Sequence, residues 1–558
     1  MDFDAVKLPL GLSARILNLT SLFSTGPALR IPAYQRPYTW TAVEVAALMS
    51  DLLAAFERRA PYYFVGHIVF VRTDNGALEV ADGQQRLATF IMFLAYVRDH
   101  LPARKESLGA LLLVEGSGGK ALPKLHLRRA DAPFFLTYVQ IPGSLTRMRA
   151  AEGEQPDSQA LMCQAVATIE ETLSELSPET LDSFVRFVVQ SATFDVMIAD
   201  ERGGAATIFP TMNNRGRSLS GPDILKQELL ERSGLDEAGA DEAAQLWEGL
   251  EDRLGRAAFE ELVSDILPLV LAEEPLRAPG DLNVLRQAIE KRSSPQAFLK
   301  EHLPRYGAAL VQLRKFSVQA GEMSDAVNRS VRKLMMLPDK MWLPLAVAYL
   351  ADHRGSPARI ARFFKALEPL ALATYLGSLR ADRAEGRYAR IRRLLGDETR
   401  LFAPSMLILS DAEQKALVEK FNKQHTREAG HRRVILLWLN AAMPNGEILT
   451  LEADANVEHV LPLRCSKEWR EVFPDEKQRE EMSKLLGNFV LISAEKNNRV
   501  GNAGFGAKKK AYFDQSDGEP IYAVTRDIEG VTTWTPDVVR ARHERLVARL
   551  SQDLNIRG

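Results

Sequence analysis

"ANVEHVLPLR", residues 455–464, sets an acid and a histidine at the end of a short apolar run that a proline then stops. "LLGNFVLISAEKNNRVGN", residues 485–502, follows with a second apolar run and four asparagines. The first stretch reads as a strand ending at the Glu458-His459 pair, and "NFVLIS" (488–493) as a second strand. "AEKNNRVGN" (494–502) reads as a loop and "FGAKKKAYF" (505–513) as a helix. The order is therefore strand, connection, strand, loop, helix. Such a frame suits phosphodiester hydrolysis, which needs a water deprotonated near neutral pH and a cation on the phosphate. A histidine is the natural base, because its unperturbed pKa lies near ~6.5. A hard cation, Mg²⁺ or Mn²⁺, takes oxygen ligands, and Glu458 and the asparagines offer them. No cysteine or second nearby histidine favours zinc. An isolated Glu-His pair is ordinarily a strand end without chemistry.

The chain has 558 residues, too many for one core, so several domains are expected. A hydrophobic content of 46% beside 26% charged residues is that of an ordinary globular protein. The two cysteines, Cys163 and Cys465, form neither a disulfide framework nor a zinc spacing, which suits a reducing cytoplasm. No apolar run reaches membrane-spanning length, and "MDFDAVKLPLGL" (1–12) lacks the basic start of a signal peptide, so no membrane partner is expected. A net charge of −2 excludes a generally basic nucleic-acid coat but not a local patch. One such patch gathers Lys496, Arg499, Lys508, Lys509 and Lys510, although a lysine-rich run is more often a solvated helix face.

Three polar stretches stand out near the other end. "IPAYQRPYTW" (31–40) alternates Tyr34, Arg36, Tyr38 and Trp40 along a proline-bounded extended segment, which sends them to one face. The plain alternative is a half-buried edge strand. "YYFVGHIVFVR" (62–72) and "LEVAD" (78–82) read as strands joined by a turn at Asn75-Gly76. "RLATFIMFLAYVRDHL" (86–101) then reads as a mostly apolar helix. Asp82 and Gly83 make the strand-to-helix turn, and Gln84, Gln85 and Arg86 open the helix, an arrangement that can cradle phosphate or simply cap it. It lacks P-loop spacing. "FPTMNNRGRSLSGPDILK" (209–226) holds a third polar loop ahead of a helix capped by Ser220 and Asp223. "FDVMIAD" (194–200) reads as another strand, and residues 235–440 as amphipathic helices such as "DEAAQLWEGLEDRL" (241–254). The expected division is 1–235, 236–425 and 426–558.

Residues 455–513 resemble the DUF1524 branch of the HNH (ββα-metal) nucleases. The matching parts are Glu458-His459-Val460-Leu461-Pro462, Gly487-Asn488-Phe489-Val490-Leu491, Lys496-Asn497, Asn502, Phe505 and Lys508-Lys509. The resemblance implies that His459 is the general base and that Asn488 orients it. It also implies that Glu458 and Asn497 are metal ligands, with Asn502 supporting the loop or the metal. Lys508 and Lys509 of the basic helix are the expected DNA contacts. The gap before Asn497 is long for a minimal site and holds the helix-like "DEKQREEMSKLL" (475–486), an insert the family tolerates.

Residues 15–235 are similar to DUF262, a family with a ParB/sulfiredoxin-like core, through the "YQRPYTW", "DGQQR" and "NNRG" segments and the "ILK" run after them. That similarity implies binding and hydrolysis of a nucleoside triphosphate, with Asp82, Gly83, Gln84, Gln85 and Arg86 central. Gln35, Arg36, Asn214, Arg215, Asp223 and Lys226 are the weaker candidates. The fold class expected is α+β multidomain: a ParB-like α/β domain, an all-helical middle and a C-terminal HNH domain.

A DUF262 region followed by DUF1524 resembles the GmrSD-type (type IV) modification-dependent restriction endonucleases and related phage-defence nucleases. The resemblance implies an NTP-regulated, metal-dependent cleavage of modified double-stranded phage DNA in the cytoplasm. GTP, ATP, CTP and UTP are equally open as the nucleotide, and a homodimer is one assembly open to the chain. Two other readings stay open: a nucleotide-gated DNA-binding sensor with weak nuclease activity, and an RNase or toxin-like HNH nuclease.

Overall fold

The structure, a computed structural model, describes residues 6–8, 12–24, 28–32, 35–73, 77–115, 121–148, 157–199, 220–271, 282–379, 381–423, 429–450, 453–516 and 518–557. The chain forms two compact units. One comprises Met1–Asp265 with Gly280–Pro304, the other Ile266–Pro279 with Arg305–Gly558.

The first unit is built on a mixed sheet whose strands are β1 (Val6–Leu8), β2 (Leu12–Asn18), β3 (Leu29–Arg30), β4 (Tyr63–Arg72), β5 (Leu78–Asp82), β8 (Leu125–His126) and β9 (Ala192–Ala199). Their order is β1-β2-β9-β4-β5-β3-β8. Strands β4 and β9 run parallel, while β4 and β5 are antiparallel with a register shift at Val69/Phe70. A short pair, β6 (Leu113–Glu115) and β7 (Ala121–Pro123), lies outside this sheet. The β-branched run at 62–72 thus becomes a strand, as expected. The turn expected at Asn75-Gly76 lies outside the described residues.

Alternation along the strands sorts the core. Ile68, Phe70, Phe194 and Val196 join helices α1 (Ala42–Glu57), α2 (Gln84–His100), α3 (Asp157–Ser174) and α4 (Pro178–Ser191) in one large cluster. Val69, Val71, Ala81 and Ala199 form a small cluster of their own. From Leu87 to Val97 helix α2 is almost wholly apolar and buried on every side. Truncating a ring such as Phe90 or Phe93 there costs about 3–5 kcal/mol. Helix α1 begins at a capping box of Thr41 and Glu44. Helix α5 (Gly221–Arg232) begins at the expected box of Ser220 and Asp223. Helix α6 (Glu237–Leu254) follows it.

The segment at 31–40 departs from expectation. Its described part is not a strand, and Tyr38 and Thr39 are both buried at successive positions, so no one-faced alternation exists. Tyr34 lies outside the described residues.

The second unit is mostly helical, with α7 (Ser324–Met335) packed on α8 (Pro357–Tyr375). Near its C-terminal end a two-stranded antiparallel ribbon, β10 (Asn456–His459) with β11 (Phe489–Ile492), pairs Glu458 with Val490 and His459 with Phe489. Around the ribbon stand α9 (Ala429–Ala442), α10 (Ala494–Val500), α11 (Phe505–Tyr512) and α12 (Pro536–Leu554). The expected loop at 494–502 is instead largely helix α10. Ser493 caps it by accepting from the Lys496 amide, and Gly501, at a φ of +45°, ends it.

Candidate active site

In a strand, successive side chains leave opposite faces, so Glu458 and His459 part company. Glu458 turns toward α11. Its Oε1 accepts from Lys508 Nζ at 2.5 Å and from the Tyr512 hydroxyl at 3.2 Å. Lys508 Nζ also donates to the His459 carbonyl at 2.7 Å. Lys508, expected as a DNA contact, is fully buried, with its ammonium paired to Glu458. Burial lowers the Lys508 pKa against the pull of Glu458, and burial beside Glu458 raises that of Tyr512. Glu458 Oε2 accepts no hydrogen bond among the described residues and is the oxygen left for a cation.

His459 takes the other face. Its ring meets Phe489 edge to face at 4.8 Å between centroids. Among the described residues nothing hydrogen-bonds to the imidazole. Burial, then the charges of Arg432 and Lys508, push its pKa down to about 4, so the ring is neutral at physiological pH. Arg432, from α9, lies over the same Phe489 ring at 4.9 Å. Sequence reading missed Arg432, because nothing local joins it to a strand so far along the chain.

Asn488 is fully buried and does not touch the imidazole. Its Oδ1 accepts from the Leu461 amide at 2.7 Å and from Trp534 Nε1 at 3.2 Å, while Nδ2 donates to the carbonyls of Leu461 and Ser483. Asn488, expected to orient His459, holds the backbone just past it. Arg542 of α12, also overlooked, donates to the carbonyls of Gly487 and Phe489, both at 2.7 Å. Gly487 lets α12 come this close, since a Cβ there meets the Val539 carbonyl at 2.3 Å.

Asn497 is half-buried on α10, which packs against β10 and α11, and Asn502 is exposed beyond it. Neither side-chain amide is hydrogen-bonded among the described residues. No group of three His, Cys, Asp or Glu side chains suited to a metal occurs among the described residues. A hard cation would therefore rely on one carboxylate with amide, water and phosphate oxygens, a donor set that Mg²⁺ accepts. Of the expected basic patch, Lys496 is buried and donates to Asp514 O, Lys509 donates to Val531 O, and Arg499 and Lys510 stay exposed.

In the first unit, Gly83 opens α2 at a φ of +93°, with no side chain capping the helix. Arg86 and Asp82 pair at 3.6 Å, both partly exposed. The Arg86 guanidinium lies where a side chain at Gly66 would stand, 2.1 Å from the position of its Cβ. The two glutamines are hydrogen-bonded to the 35–40 segment. Gln84 Nε2 donates to Gln35 Oε1, and Gln35 Nε2 to the Ala81 carbonyl. Gln85 Oε1 accepts from the amides of Thr39 and Trp40, and its Nε2 donates to the Pro37 carbonyl. Gln35, Gln84 and Gln85 thus tie the 35–40 segment to α2, where the expectation was a catalytic or nucleotide-binding role. Lys226 is likewise buried against Glu248 at 2.9 Å, and Asp223 is paired with Arg256 at 2.7 Å. Asn214 and Arg215 lie outside the described residues.

Arg36 lines a small hollow with Gln84, Gln85, Arg128 and Asp131. A larger cavity of about 230 Å³ is bordered by Thr39, Asp157, Glu251, Asp252 and Arg256. Three carboxylates against one guanidinium make it a poor seat for a triphosphate. Burial raises Asp252 to about 6. One more pair escaped the sequence reading: His67 Nδ1 stands 3.0 Å from Asp195 Oδ2, across β4 and β9 and 128 residues apart.

Residues 17–230 match the family model described as GmrSD restriction endonuclease, N-terminal domain. Residues 410–549 match the one described as GmrSD restriction endonucleases, C-terminal domain. No curated protein matches the chain. The Asp82–Arg86 turn falls within the first match and the His459 ribbon within the second; the chain belongs to the GmrSD restriction endonucleases.

Proposed function

We propose that this restriction endonuclease is a divalent-metal-dependent HNH enzyme that cuts modified phage DNA in the cytoplasm under the control of a nucleoside triphosphate. One observation carries the nuclease part: the His459 imidazole, at the end of β10 next to Glu458, has no hydrogen-bond partner among the described residues. A proton acceptor in that state can take a proton from water as its oxygen attacks phosphorus. Glu458 Oε2 and the Asn497 amide oxygen are the groups that would hold Mg²⁺ or Mn²⁺. The cation, when bound, draws charge from the scissile phosphate and its leaving oxygen. Lys508 and Tyr512 fix the Glu458 carboxylate, and Asn488 and Arg542 fix the two strands, so base and ligand keep their places during the reaction.

The nucleotide part rests on the Asp82–Arg86 turn, where uncapped helix amides and the Arg86 guanidinium suit phosphate. The ParB-like assignment of the first unit and the modified-DNA specificity rest on family resemblance alone. Cleavage of unmodified DNA, modified phage DNAs and RNA, with Mg²⁺ or EDTA and with or without each NTP, tests the whole reading. Metal-dependent cutting confined to modified DNA and altered by nucleotide is the expected result. Cutting of RNA alone would favour a toxin-like nuclease, and binding without cutting a sensor.

A further inference from the structure

The sheet of the first unit carries one polar pair that packing does not explain. His67 of β4 and Asp195 of β9 are register partners on parallel strands, with Nδ1 3.0 Å from Oδ2. Their side chains are 34% and 32% exposed, and a pair so open to water adds little to stability. Ile68 and Phe70 point into the large core, so His67 stands on the opposite face of the sheet. The Phe64 ring meets the imidazole edge to face at 5.5 Å between centroids, which narrows the orientations open to it. Among the described residues nothing hydrogen-bonds to Nε2. By accepting from Nδ1–H, Asp195 leaves the lone pair on Nε2, the atom that faces no partner. The pair has the form of a proton acceptor held ready.

It lies against the Asp82–Arg86 turn. A Cβ on Gly83 would come 3.3 Å from the His67 carbonyl, so the turn packs on the backbone of that residue. One position before His67, Gly66 takes a φ of +135°, where the register of β4 on β9 shifts. The Arg86 guanidinium fills the room that a Gly66 side chain would need. Asp82, the ion-pair partner of Arg86, is opposite Val69 in the ladder, two residues from His67 along the same face. A phosphate held by Arg86 and the uncapped amides of α2 would therefore stand at the end of the sheet that carries the dyad.

We propose that His67 is the general base for hydrolysis of a nucleoside triphosphate at this turn, with Asp195 as the residue that positions it. The inference rests on the nucleotide reading above and adds the proton acceptor that hydrolysis needs. Water gives its proton to His67 Nε2 as its oxygen bonds to the γ-phosphorus. The bond from that phosphorus to the β,γ-bridging oxygen breaks, and the diphosphate leaves with the electron pair. His67 then returns the proton to solvent. Arg86 meets the charge on the phosphate oxygens, and the Asp195 carboxylate steadies the imidazolium while it lasts.

Full-length wild type, H67Q, H67A, D195N and R86A are compared by phosphate release from ATP, GTP, CTP and UTP with Mg²⁺. Calorimetric titration of the same nucleotides and melting temperatures accompany each variant. H67Q is expected to lower kcat roughly 10²–10⁴-fold, with KM and nucleotide affinity little changed. Free imidazole should restore part of the rate of H67A, which a merely structural histidine would not allow. D195N leaves the wrong nitrogen protonated and should likewise lower kcat rather than raise KM. A wild-type kcat in a folded His67 variant, beside an impaired R86A, overturns the role of the dyad alone. Wild type that binds nucleotide without hydrolysing it does the same. If neither His67 variant folds, a wild-type kcat in D195N overturns the dyad. Wild type that binds no nucleotide, or R86A that turns it over unimpaired, overturns the nucleotide reading and this inference together.

Discussion

The Asp82–Arg86 turn and the Glu458–His459 ribbon look alike in sequence: each is a run of polar residues where a strand ends. In the folded chain they spend those residues differently. At the turn, both amide side chains go into holding the 35–40 segment, and backbone, Asp82 and Arg86 are what remain for a ligand. At the ribbon, Asn488 and Lys508 take the structural work, and His459 is left over as an unused proton acceptor. A polar motif is thus a mixture of fasteners and working groups, and burial sorts one from the other. Fasteners spend their polar atoms on backbone groups or buried partners, whereas working groups keep an atom in reserve.

The strongest way to break this contrast is Lys508→Met. Removing one partner of a buried ion pair leaves Glu458 charged and uncompensated, at about 3–5 kcal/mol. Urea unfolding should show a loss of that size; a loss like that of an exposed lysine would mean Lys508 is no fastener. Arg86→Ala comes next. Loss of a charge-assisted phosphate contact should weaken NTP binding by about 1.5–3 kcal/mol in calorimetric titration. Unchanged binding by a folded variant would move Arg86 to the fasteners.

Gln85→Ala should act the other way round. It leaves buried amides of the 37–40 segment without an acceptor, so stability should fall by about 1–3 kcal/mol while any nucleotide affinity of the folded protein persists. Loss of affinity without loss of stability would reverse the assignment.

The smallest expected effects are those of pH, and they oppose each other in the two units. Asp252 has a folded pKa raised to about 6, so its contribution to stability is full below the ordinary carboxylate range and is lost as pH rises through about 6. His459 has a folded pKa lowered to about 4, so its contribution is full above the ordinary histidine range and is lost as pH falls toward about 4. Asp252→Asn should therefore gain stability relative to wild type at pH 7 and His459→Gln at pH 5. Thermal melts at both pH values check the signs.

The legible part of this molecule was its local part. The strand at 62–72, the apolar helix after it, the Ser220–Asp223 cap and the two ribbon strands all follow from patterns within ten or twenty residues. Helix α10 was missed because asparagines and a glycine suggest a loop, and the Ser493 cap that outweighs them is a single residue. The long-range contacts were illegible for a different reason. Arg432, Arg542, and the His67–Asp195 pair meet their neighbours across long stretches of chain, and no periodicity records such a meeting. The same distance hid the fate of Lys508, which lies in a lysine run that looks solvated and is buried by a carboxylate far from it.

The central claim is that His459 is the group left free to work. It is tested most directly by single-turnover DNA cleavage with Mg²⁺ by wild type and His459→Ala, with melting temperature and DNA affinity measured on the same preparations. Loss of a general base predicts a rate lower by roughly 10²–10⁴-fold, with folding and DNA binding retained. A wild-type rate in the folded His459→Ala protein would contradict the account.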